Sequence, residues 1–93
     1  MRKIEQTGRF KRDLKREAKG QHRATLETDL LLVVEALAND QSLPARHHDH
    51  ALTGDWKDYR DCHVRPDLVL IYRFIEADRL ILARLGSHAE LDL

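Results

Sequence analysis

The residues best equipped for chemistry in this chain are its histidines and the acids near them: His47, His48, Asp49, His50, Asp61, His63, Asp67 and His88, joined by Arg84. Imidazole titrates near neutrality, so one histidine can take up a proton while another gives one away. A reaction that demands such a pair is the attack of a ribose 2′-hydroxyl on its own phosphodiester: the hydroxyl must lose a proton and the departing 5′-oxygen must gain one. A cation such as Arg84 would stabilise the charge that grows on the phosphoryl oxygens. Composition does not select RNA over other substrates. The same residue types also suit metal binding, with His47, His48 and His50 beside Asp61-x-His63. However, His-Glu-x-x-His and the other established ligand spacings are absent. Proton transfer without a metal or an external cofactor is the expectation.

To act together, these side chains must be gathered from loops, strand ends and turns. Arg2 to Gln6 reads as an edge strand, and Thr7 as the cap of a helix starting near Gly8. Phe10, Leu14 and Ala18 give that helix a narrow apolar stripe, and Gly20 is its stop. A second helix, from about Arg23 to Ala38, has the broader apolar face of Leu26, Leu30, Val33, Val34 and Leu37. Asp40 to Gly54 reads as loop. From Trp56 to Val64 the period becomes two, which puts Asp61 and His63 on one face of a strand. Arg65-Pro66-Asp67 is a turn, Leu68 to Ile75 a central strand, and Leu80 to Leu85 another. Short connections favour an antiparallel meander. Ser87-x-x-Glu90 matches a capping box, so His88 opens a short terminal helix whose positive end suits a phosphate. The predicted fold is α+β in the order β-α-α-β-β-β plus a C-terminal helix, an antiparallel sheet packed on a helical hairpin with its other face open.

Ninety-three residues make a single domain, 1–93, that buries only ~60–65% of its unfolded surface. At 42% hydrophobic and 34% charged it is neither disordered nor membrane-spanning. Its longest apolar run, Leu30 to Val34, is far short of a transmembrane helix. The start, Met1-Arg2-Lys3-Ile4-Glu5, lacks the form of a signal peptide, and the single Cys62 excludes an internal disulfide. Both fit a reducing cytoplasm. Net charge is zero but unevenly spread: residues 1–24 hold nine Lys/Arg against three Asp/Glu, net +6, and the remainder balances it. Lys11, Arg12, Lys15, Arg16 and Lys19 on the first helix are the candidate contacts to a polyanion or an acidic partner.

Plainer roles compete at single positions. His47 and His48 read as solvated loop residues, Trp56 as core, and Cys62 as an inert buried thiol. Asp61 could pair with Arg60 or Arg73, and Asp67 could be an Asx-turn residue. Convergence of His50, His63 and His88 with two acids is what favours catalysis.

The run from His50 to Arg73, containing Gly54-Asp55-Trp56, Tyr59-Arg60-Asp61-Cys62-His63-Val64 and Pro66-Asp67, resembles the YafQ branch of the RelE-type toxins, bacterial toxin–antitoxin ribonucleases. Arg84-Leu85-Gly86-Ser87-His88 resembles that family's terminus, and Phe10-Lys11-Arg12-Asp13-Leu14-Lys15 its first helix. The resemblance implies a RelE-like microbial-ribonuclease fold and cleavage of mRNA in the ribosomal A site, inhibiting translation. It implies functional positions at His50, Asp61, His63, Asp67, Arg84 and His88. On that view His50 and His63 share the acid–base work, Asp61 or Asp67 orients an imidazole, and Arg84 and His88 hold the phosphate. The implied partners are the ribosome with its mRNA and an acidic DinJ- or RelB-like antitoxin, through which alone operator DNA would be bound. One departure is the end, Leu91-Asp92-Leu93, where the family often carries an aromatic residue. That change and the low net charge support the alternative of a catalytically weakened relative acting as antitoxin-binding partner and operon co-repressor.

Overall fold

The computed structural model describes all 93 residues. Strand β1 (Lys3–Gln6) leads into α1 (Gly8–Glu17) and α2 (Leu26–Ala38). Four strands follow, β2 (His50–Ala51), β3 (Arg60–Arg65), β4 (Leu68–Ile75) and β5 (Arg79–Gly86), and α3 (His88–Leu91) ends the chain. The sheet order is β1-β5-β4-β3-β2. The meander β3-β4-β5 is antiparallel as expected, whereas β1 adds to β5 in parallel, so the sheet is mixed.

Local chemistry sets several boundaries where the sequence puts them. Thr7 Oγ1 accepts from Phe10 N at 3.0 Å and caps α1, while its own hydroxyl donates to the Ala83 carbonyl. Ser87 and Glu90 form the reciprocal capping box of α3. Three boundaries differ. Helix α2 begins at Leu26, not Arg23, because residues 20–25 close tight turns instead (Arg23 N to Gly20 O, Thr25 N to His22 O). The strand expected from Trp56 begins at Arg60. Gly54 (φ 65°) and Asp58 (φ 76°) take left-handed conformations that no strand tolerates, and Gly54–Trp56 forms a 3₁₀ turn. Within the expected loop, His50 and Ala51 pair with Asp61 and Arg60 as the edge strand β2.

The main core lies between the sheet and the two helices. Phe10, Leu26, Val33 and Leu37 meet Cys62, Leu70, Tyr72, Leu80 and Leu85 there. The opposite face is not bare: Val69, Ile71, Ala83 and Leu91 form a second cluster, against which Leu52, Trp56 and Tyr59 pack. Leu91, 2% exposed, thus provides apolar packing at the end that lacks an aromatic residue. No helix is long and apolar enough to cross a membrane.

Candidate active site

Cross-strand register assembles the site. Residues directly opposite in adjacent strands project from the same face. One row across the sheet runs His50, Asp61, Ile71, Arg84; the next runs His63, Val69, Gly86. His88 follows Gly86 by two residues, at the first position of α3. Strict alternation along β5 would turn Arg84 toward the helices with Leu80 and Leu82. A bulge in the β4–β5 pairing, where the register moves from Tyr72–Leu82 to Ile71–Arg84, puts it instead opposite Ile71, in the row of Asp61 and His50.

The rings converge on that face. The His63 ring centroid lies 4.9 Å from that of His88 and 5.3 Å from that of His48. His50 Nδ1 is 2.7 Å from the His48 carbonyl and 3.1 Å from Asp61 Oδ1. A carbonyl only accepts, so Nδ1 carries the proton and donates to it, and neutral His50 keeps its lone pair on Nε2. Because that N–H is directed at the carbonyl, Asp61 Oδ1 remains without a hydrogen bond, although the residue is only 2% exposed. Burial therefore pushes the Asp61 carboxyl above its ordinary pKa; His50, His63 and His88 pull the other way and Asp49 adds to the rise. No three His, Cys, Asp or Glu side chains are arranged to hold a metal ion.

His63 is half-buried, and its pKa is lowered. Burial is the main cause, followed by the neighbouring His88; His48 and His50 add to it and Asp61 opposes. A histidine shifted this way stays neutral, and able to accept a proton, to lower pH than usual. The midpoint of an NMR titration of the His63 ring is expected below the ordinary histidine value of about 6.5. The acid limb of any activity that needs neutral His63 should fall with it. A midpoint at or above that value would contradict the geometry.

The remaining expected residues are placed differently. Asp67 accepts from Gln21 Nε2 at 2.6 Å and lies 2.9 Å from His22 Nε2, so its hydrogen bonding goes to the α1–α2 connection and not to a ring of the cluster. Arg84 donates through Nε and Nη2 to both oxygens of the buried Asp13, at 2.7 and 3.0 Å, and its Nη1 makes no hydrogen bond. Lys11, Arg12, Lys15 and Lys19 are exposed and free of ion pairs. Arg16 instead joins Asp13, Glu17, Glu90 and the Leu85 carbonyl, which ties α1 to α3. Of the two residues read as solvated, His48 is exposed but His47 is not. His47 is buried and donates Nδ1–H to the His63 carbonyl at 2.6 Å. His48, at φ 47°, places its ring against His63. The only signal for them in the sequence is their adjacency to His50. Beside the cluster, a cavity of about 440 Å³ opens between α2, residues 43–47 and the end of β3, with His47 and His63 among its lining.

The family described as bacterial toxin of type II toxin–antitoxin system, YafQ, matches residues 2–93. The mRNA interferase toxin YafQ of Escherichia coli K12 is 40% identical over 91 residues, covering 97% of this chain and 95% of that protein. The crystal structure of YafQ from E. coli BL21(DE3) superposes with a TM-score of 0.82 at 39% identity, covering 98% of each chain. The toxin in an E. coli DinJ–YafQ toxin–antitoxin complex does so with a TM-score of 0.80 at 41% identity, covering 97% and 96%.

Proposed function

The chain belongs to the YafQ family of bacterial toxins of type II toxin–antitoxin systems, and on that premise we propose that it is an endoribonuclease that cuts mRNA in the ribosomal A site. The observation that carries this reading is the meeting of four imidazoles from three separate stretches of chain beside one buried carboxylate. His63, held neutral, takes the proton of the 2′-hydroxyl as it attacks phosphorus. A protonated neighbour, His50 or His88, returns a proton to the departing 5′-oxygen. Asp61 lies beneath and favours the charged form of the imidazole that holds the proton. The guanidinium edge of Arg84 that Asp13 leaves free, together with His88 at the start of α3, addresses the phosphoryl oxygens. Of the two acids expected to orient an imidazole of the cluster, Asp61 is the one in this reading, since Asp67 lies against Gln21 and His22. The free lysines and Arg12 of α1 meet the ribosomal polyanion.

The DinJ–YafQ toxin–antitoxin complex of E. coli supports an antitoxin as this chain's partner; on this reading that antitoxin is acidic, and operator DNA is bound only through the complex. The reading places the toxin in the cytoplasm, where ribosomes are.

Primer extension on ribosome-bound mRNA tests the proposal. In-frame cuts that appear only when both toxin and ribosomes are present are the expected result. Intact mRNA, from protein that still binds antitoxin and operator, would overturn it in favour of a non-catalytic co-repressor.

A further inference from the structure

We infer that Tyr72, Asp49 and Arg60 form a latch through the sheet that sets the positions of His48 and His50, which makes Tyr72 and Asp49 positioning residues for the histidine cluster. Its effect on activity rests on the ribonuclease reading; its effect on the histidines does not.

The segment that carries His48 and His50 has little backbone to hold it. Strand β2 is two residues long, and the chain enters it from a 3₁₀ turn through His48 in a left-handed conformation. Paired backbone alone leaves such an edge free to fray. Side chains do the holding, on both sides of the sheet. On the histidine side, His50 lies against Asp61. Asp49, between the two histidines, turns the other way. Its Oδ1 accepts from the Tyr72 hydroxyl and from Arg60 Nε at 3.3 Å.

Those two donors are themselves cross-strand partners on β4 and β3, so one carboxylate is fixed to both strands. Tyr72 is fully buried in the helix-side core, its ring edge-on to Phe74 at 5.5 Å. It is therefore a rigid anchor, from a face of the sheet that no substrate at the histidines can touch. Burial and the adjacent Asp49 both raise the Tyr72 pKa, so the hydroxyl stays a donor throughout the working range. Release of Asp49 would let His48 swing from His63 and His50 from Asp61. Misplacement of about 1 Å in a catalytic group can cost as much as 100-fold in rate.

The test uses the full-length toxin with Tyr72→Phe, Asp49→Ala and Asp49→Asn. Tyr72→Phe keeps the ring and the core, so folding is retained. In Tyr72→Phe and Asp49→Ala, the imidazole ¹H–¹³C signals of His48 and His50 should move or broaden while those of His22 stay in place. Single-turnover cleavage should fall by about 10- to 100-fold in kcat with KM nearly unchanged. Asp49→Asn still accepts from the tyrosine hydroxyl and should recover most of the rate. Wild-type histidine signals in Tyr72→Phe would overturn the latch. If the wild-type protein cuts no RNA, the ribonuclease reading fails by itself, and the NMR arm still decides the latch by the same signals.

Discussion

Replacing His63 with alanine is expected to slow mRNA cleavage by about 10²–10⁴-fold, the usual contribution of one positioned acid–base group. His63 is the member of the cluster that both His48 and His88 face, and its lowered pKa keeps it neutral, with a lone pair free to take a proton, to lower pH than an ordinary histidine. His63→Gln should lose as much, because an amide can hydrogen-bond but cannot shuttle a proton near pH 7. The fold should survive. The ring is only half-buried, and the His63 carbonyl that receives His47 belongs to the backbone. A stability change of about 1 kcal/mol, or a melting shift of about 4–8 °C, is the upper expectation. Single-turnover cleavage beside a thermal melt makes the check. Wild-type cleavage by folded His63→Ala would remove the base from the proposed mechanism.

The second large effect is on stability, at Asp13→Ala. Asp13 is 4% exposed and accepts from Arg84 Nε and Nη2, Arg16 Nη1 and the Leu85 backbone N–H. Alanine there would strand the Arg84 guanidinium, whose side chain is 14% exposed, and orphan the Leu85 N–H. Breaking a buried pair on one side costs about 3–5 kcal/mol, a large share of the 5–15 kcal/mol that holds a domain together. Urea denaturation should show that loss near neutral pH, and a loss under about 1 kcal/mol would mean that the pair is dispensable.

The pH dependence has a definite sign. Burial alone would raise the Asp13 pKa, but Arg84, the Leu85 N–H and Arg16 outweigh it and hold it below the ordinary carboxylate value. A depressed carboxylate stabilises the fold above its unfolded pKa and loses that contribution as pH falls through the folded value. The deficit of Asp13→Ala should accordingly shrink in strongly acid solution.

The same residues show where local chemistry ends. Thr7, Ser87 and Glu90 declare helix starts because a cap is satisfied within three residues of itself. The stripe on α2 and the apolar run of β4 declare burial because their periods are local. The cluster of His50, Asp61, His63 and His88 was legible as a set of residue types, and Asp61 with His63 as a shared face. The short β2 was not, since two residues have no period and pair only because the outer edge of β3 is there to receive them. Nor was the strand start after Asp58, where tertiary packing of Trp56 and Tyr59 on the second cluster overrides an alternating pattern.

The sequence by itself determined the element types and order apart from β2, the apolar faces and the inventory of proton-transferring groups. Tertiary structure alone decided which of those groups meet. The β5 bulge set Arg84 opposite Ile71, in the row of His50 and Asp61, and Asp13 of α1 claimed its guanidinium. The α1–α2 connection drew Asp67 away, and the edge pairing of β2 brought His48 in. The reason is physical: caps and periodicity are interactions between near neighbours in the chain. Strand register and bulges are settled by contacts between residues far apart in it, and a shift of one residue there reverses the face on which a side chain stands.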